Sequence, residues 1–91
     1  VYIITNKKHG TLYIGVTANL PRRIWEHKEK LVPGFSKRYG LNQLVYWQHF
    51  ERIEEAIQRE KTMKDWIRAW KIRGIEEMNP EWLDLCEQIN Q

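Results

Sequence analysis

"TLYIGVT", residues 11–17, has the alternation of a β-strand with one misfit, Gly15, two places after Tyr13. Just upstream, "VYIIT" (residues 1–5) is β-branched and aromatic, and "NKKHG" (residues 6–10) is a polar loop ending in glycine. Two such runs joined by a short polar loop predict a β-hairpin. With Thr5 facing Gly10 across the loop, antiparallel pairing would set Tyr2 opposite Tyr13. Two phenols would then share one sheet face with Gly15, while Leu12, Ile14 and Val16 form a hydrophobic set on the other.

Beyond Thr17 the pattern turns helical. Asn19 can cap and Pro21 suits a first turn, so "LPRRIWEHKEKL" predicts a helix over 20–31, stopped by "VPG". "FSKRYG" allows one further turn, and "QLVYWQHF" predicts a third strand. From Ile53 onward the helical period dominates as far as a break at Pro80, and "EWLDLCEQI" predicts a last short helix. The order ββα(α)βαα gives an α+β fold, a small three-stranded antiparallel sheet flanked by helices.

The chain has 91 residues, 42% of them hydrophobic, which suits one compact domain with a small core spanning residues 1–91. Cys86 is the only cysteine, so no internal disulfide forms, and His9, His27 and His49 lack zinc-ligand spacing. No run approaches about eighteen apolar residues and no charged-then-apolar leader opens the chain, so a soluble, cytoplasmic protein without a membrane span is expected. The net charge of +3 favours a polyanionic partner without demanding one.

Two helices carry polar residues where apolar ones belong. Placed on a wheel, Ile53, Ala56, Ile57, Met63 and Ile67 gather on one face, and Glu60 falls within that stripe. A carboxylate so placed needs a cation or hydrogen-bond donors. Lys64, one turn on, supplies a structural partner, and a bound metal ion is the alternative. On the first helix Leu20, Ile24 and Leu31 form an apolar edge with His27 among them and Arg23 one turn before it. Phenol, guanidinium, imidazole and carboxylate together are equipment for cutting a phosphodiester.

These residues resemble the GIY-YIG nucleases. Tyr13-Ile14-Gly15 matches the second half of that family's signature, and Val1-Tyr2 is similar to the end of the first half. Arg23, ten residues after Tyr13, and His27, four later, match the family's arginine and histidine, and Glu60 after "EEAIQR" matches its metal-binding glutamate. "LYIGVT", "RRIWEHK", "REKTMK" and "AWKIRGIEEMNPEW" resemble the small single-domain bacterial members with a URI-type domain. The resemblance implies a hydrolytic endonuclease acting on DNA with one divalent cation, Mg²⁺ or Mn²⁺. In it Tyr2 would be the general base, Tyr13 would orient the water or the phosphate, and Arg23 would neutralise the scissile phosphate. His27 would contact the phosphate or relay a proton, and Glu60 would hold the metal. Gly15 would let the DNA backbone, or the helix bearing Arg23, approach the sheet. Some relatives carry a second histidine or a lysine shortly after the first helix, a place that Lys37 or Tyr39 would fill here. Asn79 is available for an asparagine near the C-terminus.

Beyond the site, Lys61, Lys64, Arg68 and Lys71 recur every three or four residues, and Arg22, Arg23, Lys28 and Lys30 cluster on the first helix. Either set suits phosphate tracking or a solvated helix face. Trp66 and Trp70, four apart, suit helix packing more than base stacking. Nothing resembles a helix that reads the major groove, so specificity is expected to be low or supplied by a protein partner, with the chain a monomer or weak homodimer. The rivals are a catalytically weak nucleic-acid-binding module and an RNA-directed nuclease on the same scaffold.

Overall fold

A computed structural model describes residues 1–31 and 34–89. Three strands form an antiparallel sheet of order β2-β1-β3, with β1 at Tyr2–Thr5, β2 at Leu12–Gly15 and β3 at Gln43–Trp47. Between and after them run α1 (Leu20–Lys28), α2 (Phe35–Tyr39), α3 (Ile53–Lys64), α4 (Arg68–Met78) and α5 (Cys86–Ile89). The α+β class and the three-stranded sheet flanked by helices are as the sequence predicts.

The hairpin register differs from expectation by two residues. Tyr2 pairs with Gly15, Ile4 with Tyr13 and Thr5 with Leu12, not Tyr2 with Tyr13. The polar loop is longer than predicted because its own side chains close it. The Thr11 amide donates to Asn6 Oδ1 (3.1 Å), and the buried Thr5 hydroxyl lies 2.8 Å from the Thr11 carbonyl. A slip of two leaves every side chain on its predicted face. Ile14 thus joins Val1, Ile3, Val45, Ala56, Met63, Ile75 and Trp82 in one core cluster, against which Leu12 and Val16 pack. Tyr2 and Ile4 join Ile24, Leu41, Leu44 and Leu85 in the other, with Tyr13 at its margin. The sheet therefore lies between α3 and α4 on one face and α1 and α5 on the other.

Along β3 the alternation breaks, since Ile3 pairs with Tyr46 but Ile4 with Leu44, leaving Val45 as the extra residue of a bulge. Val45 and Tyr46 consequently pack toward the same core. Buried Asn79 serves this bulge: its Nδ2 donates to the Val45 carbonyl (3.2 Å) and the Leu83 carbonyl (2.8 Å), and its Oδ1 accepts from the Leu83 amide. Asn79 is thus a structural clasp.

The outer side of β3 is covered by the chain after α4. Asp84 Oδ1 accepts from the Leu44 and Cys86 amides, the Leu85 amide donates to the Leu44 carbonyl, and Lys28 Nζ bridges Asp84 Oδ2 (2.7 Å) and the Asn42 carbonyl (2.9 Å). Lys28 is held in this lock rather than offered to phosphate. The opposite edge, β2, has no strand beyond it among the described residues.

Two helix predictions need correction. The first helix ends at Lys28, not Leu31, and Leu31 is exposed; Val32 and Pro33 of its predicted stop lie outside the described residues. The long helix from Ile53 is two helices, separated at Asp65–Ile67. Trp66 turns against the core there, with Arg59 Cζ 4.9 Å from its ring centre and side-chain-free Gly74 beside it. Ile53, Ile57 and Ile67 of the predicted stripe are exposed, and only Ala56 and Met63 are buried. Trp66 lies in the break and Trp70 beyond it in α4, where it is exposed. Among the described residues no helix is long and apolar enough to cross a membrane.

Candidate active site

Tyr2, Tyr13, Gly15, Arg23 and His27 of the predicted site residues gather on one face of the sheet, toward its unpaired edge. Tyr2 lies in the middle strand, buried to 1% exposure, with its ring over Gly15 of the neighbouring strand. A Cβ on Gly15 would stand 2.5 Å from both Tyr2 Cζ and Oη. Gly15 therefore makes room for the phenol. The expected opening for a DNA backbone is filled by the Tyr2 ring.

Helix α1 brings Arg23 and His27 to the same place. Asn19 Oδ1 accepts from the Arg22 amide (3.2 Å) and Pro21 occupies the first turn, so the helix starts at a fixed point. Residues four apart then share a face, with buried Ile24 anchoring the helix to the sheet. His27 is buried, and its Nε2 is 3.0 Å from Tyr2 Oη. Tyr2, Tyr13 and His27 form a triangle of tilted rings, with centres 6.3, 5.7 and 5.9 Å apart. Tyr13 is half-buried at the rim.

Arg23 lies near enough for its charge to act on the Tyr2 phenol and pairs with Glu26 (3.4 Å), while its side chain remains 39% exposed. Glu26 also holds Arg22 (3.6 Å), which is more exposed still. The sequence reading missed Glu26, whose only signal was its place three and four residues after these arginines. Lys37 lies exposed on α2.

Glu60 comes from α3, the helix that contacts β2 from the opposite layer. Its carboxylate is 16% exposed and its Oε1 pairs with Lys64 Nζ at 3.3 Å, so the expected ion pair is present. It is also near enough for its charge to act on the Tyr2 phenol. Lys64 is half exposed, and its pairing with Glu60 competes with the phosphate contact predicted for it.

The environment sets the protonation of the floor. Burial, then Tyr13, push the Tyr2 phenol well above its ordinary value, and Glu60 adds to this; Arg23 pulls the other way. Burial, then the Arg23 charge, hold His27 below the ordinary imidazole value, against a smaller upward pull from Glu26. At neutral pH the phenol keeps its proton and the imidazole is uncharged.

A cavity of about 490 Å³ lies at the end of the sheet, lined by Asn19, Leu20, Trp47, Phe50 and Ile89 among others, and none of the five predicted catalytic side chains borders it. The chemistry-bearing cluster lies instead between β1, β2 and α1.

Comparison with known proteins identifies the family. Residues 1–73 match the GIY-YIG catalytic domain. A UPF0213 protein of Clostridium perfringens is 35% identical over 90 residues, 99% of this chain and 96% of that protein. UPF0213 proteins of Staphylococcus haemolyticus and Staphylococcus saprophyticus are 35% and 32% identical over 77 residues, in each case 85% of this chain and 93% of the relative. No solved structure matches the chain. The chain belongs to the GIY-YIG nuclease family.

Proposed function

We propose that this chain, as a single domain over residues 1–91, is a cytoplasmic, divalent-metal-dependent endonuclease that hydrolyses phosphodiester bonds of DNA. The observation that carries this is the gathering of Tyr2, Tyr13, Arg23 and His27 toward one unpaired sheet edge, with the Glu60 charge in reach of the Tyr2 phenol. Two phenols, an imidazole and a guanidinium in contact have no need of one another in a purely structural core, where burying them has a cost.

Arg23 is the exposed cation of the set, and its guanidinium fork suits a phosphate whose charge grows toward the transition state. Tyr2 serves as base without becoming a free phenolate: it receives a proton from the attacking water as its own passes to uncharged His27 Nε2, 3.0 Å away. Tyr13 at the rim orients the water. The burial of Tyr2 favours a second arrangement, in which Tyr13 meets the water directly and the Tyr2–His27 pair fixes the phosphate pocket.

The residues present fit a single hard cation, Mg²⁺ or Mn²⁺. Glu60, which matches the family's metal-binding glutamate, would be the protein's ligand, its side chain partly accessible at 16% exposure. Magnesium is commonly held by one or two carboxylates, with waters and substrate phosphate oxygens completing its shell. When bound, the cation stabilises charge on the leaving oxygen. Arg22, Lys37 and Lys64 are substrate contacts in this proposal, the last once it leaves Glu60. One site makes one cut, so a monomer or weak homodimer nicks duplex DNA, and a protein partner supplies any sequence specificity.

Supercoiled plasmid and single-stranded DNA incubated with Mg²⁺ or Mn²⁺ test this. Metal-dependent nicking, lost in a folded Glu60→Gln protein, is expected. Binding without nicking by the wild type would leave a binding module, and cleavage confined to RNA would redirect the substrate.

A further inference from the structure

Lys7, Arg68 and Lys71 meet although some sixty residues separate them in sequence. Lys7 comes from the β1–β2 loop, and Arg68 and Lys71 from the first turn of α4. With Asn6, His9 and Thr11 they border an open groove of about 570 Å³ whose lining includes no acidic residue. Arg68 Nη2 donates to the His9 and Gly10 carbonyls, at 2.7 and 2.6 Å, which fixes the loop on the helix. Both acceptors are neutral, so the guanidinium charge stays uncompensated by them. Glu76 is engaged by the groove residue His9 through Nε2 (3.4 Å) and by the Trp82 indole (2.9 Å). Gathering three cations in one concave place raises the local potential and attracts a polyanion.

The groove borders β2, the strand that carries Tyr13 and Gly15. Its wall includes Leu12, three residues before Gly15 on β2, or about 10 Å at ~3.3 Å per residue. A separation of that order places the groove within a few nucleotides of the site on a bound strand. Lys64, between Glu60 and Arg68 in sequence, closes α3 on the way. Resting on the nuclease function proposed above, we infer that this groove holds the phosphate backbone of the cleaved strand a few nucleotides from the scissile bond. Lys7 and Lys71 make the phosphate contacts, and Arg68 keeps the loop in place.

The test measures binding without cleavage, using Glu60→Gln protein and a labelled duplex long enough to reach both places. Adding Lys7→Gln and Lys71→Gln should weaken binding and flatten the slope of log K against log salt by about 1.8, at ~0.9 per lost phosphate contact. A short duplex covering only the reacting nucleotides should bind both proteins alike. A control that removes equal charge elsewhere, Arg38→Gln with Arg52→Gln, should keep the parent slope. An unchanged slope on the long duplex, or an equal loss in the control, overturns the groove assignment. If wild-type protein cuts nothing while the slope falls as stated, the groove stands and the hydrolytic proposal fails. If it cuts while the slope holds, the groove alone fails.

Discussion

Tyr2 and Gly15 face one another across the β1–β2 ladder, and the phenol ring of the first occupies the space that a side chain on the second would need. A Gly15→Ala protein must move Tyr2 or the strand, because the colliding atoms belong to a buried aromatic ring. Overpacking of this kind costs about 1–3 kcal/mol. Urea denaturation should show that loss, and DNA cleavage should fall with it, since Tyr2 would leave His27. An unchanged midpoint together with wild-type cleavage would show that the ring gives way freely.

The two phenols have separable roles. Tyr2→Phe removes the hydroxyl bonded to His27, and Tyr13→Phe removes the one at the rim. If Tyr2 is the base, single-turnover cleavage by Tyr2→Phe should fall about 100-fold or more, the usual scale of general base catalysis, with Tyr13→Phe less affected. The opposite ranking would assign the water to Tyr13.

His27 makes stability depend on pH. Folded, it is held below its ordinary value by burial and by Arg23; unfolded, it takes up a proton as pH falls through about 6.5. In that window the unfolded chain binds more protons, so stability is full above it and declines as pH drops. Urea midpoints measured from about pH 8 to 5 should fall toward the acid end, and His27→Gln should flatten that part of the curve. The same decline in His27→Gln would place its cause elsewhere.

Asn79 ties the bulge of β3 to the chain after α4 through three hydrogen bonds. Asn79→Ala leaves the buried Val45 carbonyl without that donor and should cost about 1–3 kcal/mol in thermal or chemical denaturation. Cleavage per folded molecule should persist, because Asn79 is no part of the site. Loss of cleavage at full stability would point to a catalytic asparagine.

Much of this was legible in the sequence for physical reasons. The faces of the hairpin follow from a period of two, which a two-residue register error leaves intact, so Tyr2, Tyr13 and Gly15 were correctly grouped although the pairing was not. His27 and Glu60 stood out because each interrupts an apolar edge. The register itself depends on Thr5 and Asn6 folding back on Thr11, contacts that no propensity reveals. The break between α3 and α4 carries no proline or glycine; it follows from Trp66 turning into the core. The purpose of Gly15 needed the third dimension, since only the paired strand shows which side chain fills its place.

The central claim is that side chains from the sheet, α1 and α3 act as one hydrolytic unit, and the coupling of Arg23 with Glu60 tests it most directly. Single-turnover cleavage of a defined DNA should be compared for Arg23→Ala, Glu60→Gln and the double variant, each shown to be folded. Groups that act together are strongly non-additive, so each single change should abolish most of the rate and the double should be little slower than the worse single. Wild-type rates in both single variants would contradict the account.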